Sequence, residues 1–525
     1  MTDNQNKFHI FLLLIILGIA FFLRVKGIWF GYPLPVHPDE PKLVETALNM
    51  LNTGDLNPHF FNYPTLNIYL QALIYKAITL GSQTLFGLSA VDIPIIWFYI
   101  VGRLFNVLLS ILTILITYEL GRRLISSLTG LISAWFITFS FLHVSNSFKI
   151  TVDSSVAFWL SLATLMAVLI YMKEKKLSYY LLGGVFVGFA VSSKYTAFVG
   201  VAPILIAHYQ QSRNKRDWID KNLISVILVI PIAFFITTPY AILDYKTFLH
   251  AIKYEAIHYT TGHPGAEADG STSFYLYGKY LLNNGYGLFP TLFSGIGLIW
   301  MLRKDFRKAA ILVSTPLLLF LLVGRFKVFI PRNIVALVPF LSLFSGFLIA
   351  TAYEGLTSKT FNFRESKRML LGANALLIMV LVGSVYVPTV KIVKYVNRIT
   401  LPDTRWISIE WIKQNIPKGS FIGREHYTPP LEEYTKCYKV VSLGYFAVAE
   451  KPEDIQRLDY MIVSSGDYDR FFRVPEKYPK EQKAYVAFFD THELVHEFIP
   501  DRKTLGGPKV SIYKIRKIGR RFHQN

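Results

Sequence analysis

The chain has 525 residues, of which 52% are hydrophobic and only 17% charged, with a mean hydropathy of +0.36; soluble domains carry about 25% charged residues, so the composition is that of a membrane protein. The formal net charge of +20 does not point to nucleic acid, because the basic residues fall between apolar segments and not on one solvated domain. The lone cysteine, Cys437, rules out an intrachain disulfide framework and a cysteine-rich metal site.

The first apolar run, 8–23, is followed by Arg24 and Lys26, and no small-x-small cleavage site precedes Trp29. It is read as a retained first span. Further apolar segments fall near 99–120, 127–147, 154–172, 179–193, 195–209, 222–240, 287–302, 309–324, 333–353 and 369–390. At about 20 residues per span this predicts about eleven transmembrane helices, a mainly α polytopic protein. Arg122/Arg123, Lys173/Lys175/Lys176, Arg213/Lys215/Arg216/Lys221, Arg303/Lys304/Arg307/Lys308 and Lys359/Arg364/Lys367/Arg368 all fall on one side of such a bundle. Cytoplasmic loops collect Lys and Arg, so the loops at 27–98, 148–153, 241–286 and 325–332 are expected to face outward.

The first outer loop, 27–98, predicts structure of its own. Val44, Ala47, Leu48 and Leu51 have amphipathic helical spacing, and Gly54 is placed to end that helix, which is expected to lie on the membrane surface. A second helix, from Thr65 to about residue 86, is apolar but carries Asn67, Gln71 and Lys76, and is read as interfacial. The transmembrane domain is assigned to 1–394. Beyond it, 395–525 has apolar runs of strand length, as at 460–463 and 510–513. Asp403 or Thr404 is placed to cap a helix carrying Ile407, Trp411, Ile412 and Ile416, which Pro417 and Gly419 would end. This region is expected to be a small soluble α/β domain outside the membrane.

The chemistry is expected in the first loop. His37-Pro38-Asp39-Glu40-Pro41 places two acids just after the first span, and carboxylates at a membrane boundary are functional suspects by default. Asp39 is also well placed to cap the helix that follows, and capping and catalysis can coexist at one residue.

That stretch, with Leu51-Asn-Thr-Gly-Asp-Leu-Asn-Pro-His-Phe-Phe-Asn-Tyr-Pro64, resembles the protein O-mannosyltransferase-like superfamily, nearest the bacterial and archaeal branch related to lipid A aminoarabinose transferases. The resemblance implies a GT-C fold and use of polyprenyl-phosphate sugars. It implies that Asp39 is the catalytic aspartate, with Glu40 beside it. The segment from Lys149 to Asp153 is similar to the family's second acidic site. Ser193-Lys194-Tyr195-Thr196 and Pro331-Arg332-Asn333 are similar to its basic positions, although the latter departs from the commoner Arg-Tyr arrangement. Pro402-Asp403-Thr404-Arg405 with Trp411-Ile412 resembles the start of an outer C-terminal domain, and Tyr254 to His258 and His263 resembles a further loop motif.

The chemistry can also be argued without the family. A sugar on polyprenyl phosphate already carries a good leaving group, so it needs cations to hold the phosphate and a base for the acceptor hydroxyl. Asp39 is the expected base. Glu40 and Asp153 are expected either to orient it or to bind a sugar hydroxyl; Asp153 has the alternative reading of an N-cap for a span starting at Ser154. Lys149, Lys194 and Arg332 are the expected phosphate ligands, against the alternative that they snorkel to headgroups. His37, Tyr63, His258 and His263 are expected substrate contacts. The aromatic residues of the first loop either stack on sugar or form an interface belt. No cofactor is expected: an acid pair can bind a divalent metal, but cationic side chains replace it, and the histidines lack HExxH spacing.

The expected activity is transfer of a sugar from a polyprenyl-phosphate donor to a protein, lipid or glycan acceptor, with inversion, at the outer face of the cell membrane. Membrane lipids are expected partners and nucleic acid is not. The rivals are a transporter or lipid flippase, which would place its site at mid-membrane on broken helices, and a non-catalytic scaffold working through 395–525.

Overall fold

The computed structural model describes residues 3–89, 92–172, 176–212, 218–262, 273–357 and 367–517. These divide into two compact units: Met1–Ile28 with Asp39–Lys394, and Trp29–Pro38 with Tyr395–Asn525.

The first unit is helical. It opens with α1 (Asp3–Val25), α2 (Glu40–Thr53) and α3 (Leu66–Phe86), followed by the long α4 (Ile95–Leu124). Then come α5 (Ser127–Thr138), α6 (Phe141–Ser147), α7 (Val152–Met172), α8 (Leu177–Val191), α9 (Ala202–Gln211) and α10 (Lys221–Thr237). Short α11 (Tyr240–Leu243) leads into α12 (Tyr245–Thr261), and α13 (Ser273–Tyr280) into α14 (Leu288–Lys304), α15 (Phe306–Val323), α16 (Val338–Leu356) and α17 (Lys367–Ile399). Two 3₁₀ turns, Tyr195–Val201 and Pro331–Leu337, precede α9 and α16.

Among the described residues, six helices are long and apolar enough to cross a membrane: α1, α4, α7, α15, α16 with its 3₁₀ turn, and α17. The pair α5–α6, bent by 64°, makes a seventh when counted as one broken span. The chain is an integral membrane protein. The other apolar segments predicted as spans fall on shorter helices: α8 has 15 residues, α9 has 10, and α10 and α14 have 17 each. At 1.5 Å per residue, a 10-residue helix covers about half of a hydrocarbon core about 30 Å thick. Apolar content alone does not reveal such breaks.

Buried polar side chains tie the bundle together. Arg24, expected to flank the first span, is fully buried. Its Nε donates to Ser110 Oγ at 2.9 Å, and Nη1 donates to the Ala20 carbonyl at 3.0 Å. Close backbone approach fixes the packing of α4 on α5, because a Cβ at Gly130 would lie 2.5 Å from the Tyr118 carbonyl oxygen.

The second unit is an α/β sandwich. Its sheet has the order β2-β1-β3-β5-β4, from β1 (Phe421–Glu425), β2 (Lys439–Gly444), β3 (Tyr460–Ser464), β4 (Glu493–Phe498) and β5 (Val510–Lys514). The first three are parallel, and β5 runs antiparallel to both its neighbours. Met461, Ile462 and Val463 of β3 are all buried, as a central strand covered on both faces requires. One face packs Ile422, Ile462 and Ile512 on Ile409 and Ile412 of α18 (Thr404–Asn415). Asp403 caps α18, accepting from the Arg405 N–H at 2.9 Å. The other face packs Met461, Val463 and Tyr513 on α22 (Ser465–Arg473) and α23 (Pro479–Thr491). Three single-turn helices, α19 (Leu431–Tyr434), α20 (Ala447–Glu450) and α21 (Pro452–Ile455), lie in the β1–β2 and β2–β3 connections.

The predicted first outer loop is not one body. Residues 29–38 pack with the second unit: Leu34 is buried in the cluster of Ile409 and Ile412, and Arg405 Nη1 donates to the Val36 carbonyl at 3.4 Å. Leu34 and Val36 are apolar residues of a proline-rich segment that cannot bury itself locally, and α18 supplies the apolar surface.

Candidate active site

Four segments far apart in sequence deliver the candidate residues to one place. Asp39 stands at the N-cap position of α2, yet its side chain makes no cap bond. An N-cap oxygen accepts from the N2 or N3 amide, and here N2 is Pro41, which has no N–H. The carboxylate instead pairs with Arg332 Nη1. The αL Gly54 predicted to end this helix does so at φ +75°.

Arg332 opens the 3₁₀ turn before α16. Its Nε lies 3.6 Å from Asp153 Oδ2, and Nη2 donates to Tyr63 Oη at 3.4 Å. Asp153 lies in the first turn of α7, inside the helix and not at its cap. Lys194, in the extended break after α8, donates from Nζ to Asp153 Oδ1 at 2.8 Å and to Asn333 Oδ1 at 2.8 Å. Asn333 Nδ2 in turn donates to Tyr277 Oη at 3.4 Å. Two carboxylates and two cations therefore alternate: Asp39, Arg332, Asp153, Lys194. Asp153 is the deepest, with a side chain 4% exposed, while Asp39 keeps 27%.

Glu40 points elsewhere. It is fully buried in an ion pair with Arg103 of α4, at 3.1 Å from Nε to Oε1 and 2.7 Å from Nη2 to Oε2. Oε1 also accepts from the Ile150 N–H at 3.0 Å, and Arg103 Nη1 donates to the Ile28 carbonyl at 2.8 Å. Both carboxylate oxygens are thereby engaged. Glu40 locks the start of α2 to α4 and to the segment that leads into Asp153, and so sets where Asp39 sits.

A cavity of about 330 Å³ opens beside the cluster. Tyr63 and Lys194 belong to both, and Tyr195, Glu255, Tyr259 and Phe326 complete most of its wall. Burial pushes the Tyr63 phenol up, against the nearby Arg332 guanidinium, which pulls it down. Tyr63 thus keeps its proton and remains a hydrogen-bond donor.

The structure brings Asp39, Asp153, Lys194, Arg332 and Tyr63 together. Lys149 lies on the segment before α7, and its backbone carbonyl accepts from Asn106 Nδ2 at 2.8 Å. His37 belongs to the second unit, where its ring meets Phe30 edge-on at 6.4 Å. His258 lies on α12 with its ring stacked on Tyr254 at 6.1 Å. His263 lies outside the described residues. Sequence reasoning missed Arg103, Asn333 and Glu255. Arg103 carried a signal, since an arginine within an apolar span needs a buried partner. Asn333 and Glu255 carried none beyond their neighbours. Among the described residues no group of three or more His, Cys, Asp and Glu is placed to hold a metal ion.

The helical bundle with its C-terminal sheet is the GT-C fold of membrane glycosyltransferases. A family model described as dolichyl-phosphate-mannose-protein mannosyltransferase matches residues 69–242, a stretch that holds Arg103, Asp153 and Lys194. The apo oligosaccharyltransferase of Archaeoglobus fulgidus is similar, with a TM-score of 0.59 and 12% identity over 94% of this chain and 74% of that one. ArnT from Cupriavidus metallidurans in the apo state gives 0.58 and 14% over 97% and 98%. The same enzyme bound to undecaprenyl phosphate gives 0.56 and 14%, over 98% of both chains. Comparison with curated protein sequences finds no match.

Proposed function

We propose that the protein is a glycosyltransferase that takes one sugar from a polyprenyl-phosphate donor and passes it to an acceptor hydroxyl. The observation that carries this reading is the alternating cluster of Asp39, Arg332, Asp153 and Lys194 at the wall of a cavity. Structures of the same fold hold undecaprenyl phosphate in ArnT and dolichol-phosphate in the Archaeoglobus fulgidus oligosaccharyltransferase AglB, ligands of the chemistry that Arg332 and Lys194 suit.

Arg332 and Lys194 hold the donor phosphate and stabilise the charge that builds on its bridging oxygen. Asp39 accepts the proton of the acceptor hydroxyl. The acceptor oxygen forms a bond to the anomeric carbon as the bond from that carbon to the phosphate oxygen breaks. The electron pair leaves with the polyprenyl phosphate, and the proton passes from Asp39 to water. One displacement inverts the anomeric centre. Asp153 stays between the two cations and orients both, and Glu40 positions Asp39. Lys149 is a further candidate phosphate ligand at the same end. The two cationic side chains supply the charge that a divalent metal otherwise would, so no cofactor is required.

The Lys and Arg of the intervening loops favour, by the positive-inside rule, a reading in which the site faces the extracytoplasmic side of the cell membrane. The test is transfer of labelled sugar from a panel of polyprenyl-phosphate donors in membranes, wild type against Asp39→Asn. Label reaching a lipid, glycan or protein fraction only in wild type supports the reading. Equal transfer in both removes Asp39 as base, and uptake into proteoliposomes without a covalent product favours a transporter.

A further inference from the structure

The cavity beside the cluster has a second charged group that the reaction above leaves unused. Helix α12 turns Ile252, Glu255, Ala256 and Tyr259 to the cavity, the i, i+3, i+4, i+7 positions of one helical face. Three of these are apolar or aromatic. A carboxylate on such a wall is costly unless it is hydrogen-bonded, and Asn62 Nδ2 donates to Glu255 Oε1 at 2.7 Å. The cavity therefore has two charged lining groups: Lys194, tied to Asp153 and Asn333, and Glu255, tied to Asn62. Tyr63, Tyr195, Tyr259 and Phe326 line the same cavity. At about 330 Å³ the space lies near the low end of ligand pockets, about 300–1,000 Å³, which suits one sugar ring and not an oligosaccharide.

We propose that Glu255, oriented by Asn62, is the residue that selects the transferred sugar, accepting hydrogen bonds from ring hydroxyls while the aromatic walls cover the ring's apolar face. The inference rests on the reading of the site as a polyprenyl-phosphate-sugar transferase and adds to it the identity of the sugar end. With the donor phosphate on Lys194 and Arg332, the sugar extends from the anomeric oxygen along the aromatic wall to Glu255. A charged acceptor strengthens each hydroxyl contact. A site built to bond a hydroxyl also strongly rejects the analogue that lacks it. The donor is thus a monosaccharide, and the hydroxyl farthest from the phosphate decides which one.

The experiment measures binding of bare polyprenyl phosphate, and of polyprenyl-phosphate mannose, glucose and galactose, to the full chain in detergent. It compares wild type with Glu255→Gln, which keeps the shape and can still meet Asn62. In wild type one glycosylated lipid binds at least about tenfold tighter than the bare phosphate, and Glu255→Gln removes most of that margin. An equal margin in both proteins, or no margin in wild type, overturns the role of Glu255 and leaves the transferase reading standing. Failure of wild type to bind any of the four lipids overturns that reading, and the role of Glu255 with it.

Discussion

Arg332 closes on Asp39, a residue 293 positions earlier in the chain, while its Nε faces Asp153 at 3.6 Å. In the proposed reaction a donor phosphate would compete with Asp39 for Arg332, so its binding would release the carboxylate. Asp39→Asn separates the two roles, because the amide still sits at the helix start but takes no proton. Loss of a general base costs about 10²–10⁴-fold in rate, and the freed Arg332 keeps or raises donor affinity. Initial rates over a range of donor concentrations distinguish the outcomes. A fall confined to kcat supports the base, and a rise in KM alone would mean that Asp39 serves only to hold Arg332.

Lys194 makes two short bonds, to Asp153 and to Asn333. Its position in the break between α8 and the following 3₁₀ turn frees it from helical packing. Lys194→Met removes one charge-assisted bond to the phosphate, worth about 1.5–3 kcal/mol. The expected result is a donor KM raised about tenfold to a hundredfold. Inhibition by bare polyprenyl phosphate weakens by the same factor, because the contact is to the phosphate and not to the sugar. Unchanged inhibition by the bare lipid would show that Lys194 supports Asp153 and does not touch the donor.

Glu40 and Arg103 form a fully buried pair, with Glu40 also accepting from the Ile150 N–H and Arg103 donating to the Ile28 carbonyl. Removing one partner of such a pair leaves an uncompensated charge and costs about 3–5 kcal/mol. Glu40→Ala should therefore lower the Tm of the detergent-solubilised protein sharply and reduce transfer with it. Glu40→Gln combined with Arg103→Met removes both charges and should recover much of the Tm. Activity should recover less, because α2 and Asp39 then lose the anchor that fixes them. Full activity in the double variant would show that Glu40 does not position the base.

Much of this was legible in the chain. Every segment predicted as a span falls on helix, and the capped helix at Thr404 and the strands at 460 and 510 are where pattern placed them. Asp39, Asp153, Lys194 and Arg332 stand out by their place at the ends of apolar segments taken together with the resemblance to the O-mannosyltransferase-like superfamily. The pairing itself was not legible, since nothing local says that Lys194 meets Asp153 and not lipid. For Glu40 the sequence leaves two readings open, orienting Asp39 or binding a sugar hydroxyl, because two adjacent acids at a helix start point in different directions and the chain alone does not say that Glu40 turns into the bundle, onto Arg103. His37 shared the motif but packs with the second unit, where the aromatic and apolar residues of 29–38 find cover. Glu255 escaped notice because its meaning depends on the helical face that α12 shows to a cavity.

The second unit carries a pH dependence of its own. Glu425 at the end of β1 and Asp467 in the first turn of α22 are both fully buried. Burial pushes Glu425 up to about 8, and the neighbouring Asp467 adds to this. Burial likewise pushes Asp467 up to about 7, against Arg470. Tyr485 Oη donates to Glu425 at 2.6 Å, the Val448 N–H donates to it at 3.3 Å, and the Tyr427 N–H donates to Asp467 at 2.9 Å. Glu425 Oε2 and Asp467 Oδ1 have no such partner, so a retained proton serves them better than two charges. Unfolded carboxyls titrate near pH 4. Between there and about pH 8 the folded domain holds more protons than the unfolded chain, and stability falls as pH rises. Glu425→Gln keeps a neutral group in that place and removes its share of the slope. Thermal melts of the full chain from pH 5 to pH 9 should show wild type losing stability relative to the Gln variant across this window, with the gap levelling above it. A gap that stays constant, or one that favours wild type at high pH, would mean that Glu425 is charged in the folded domain.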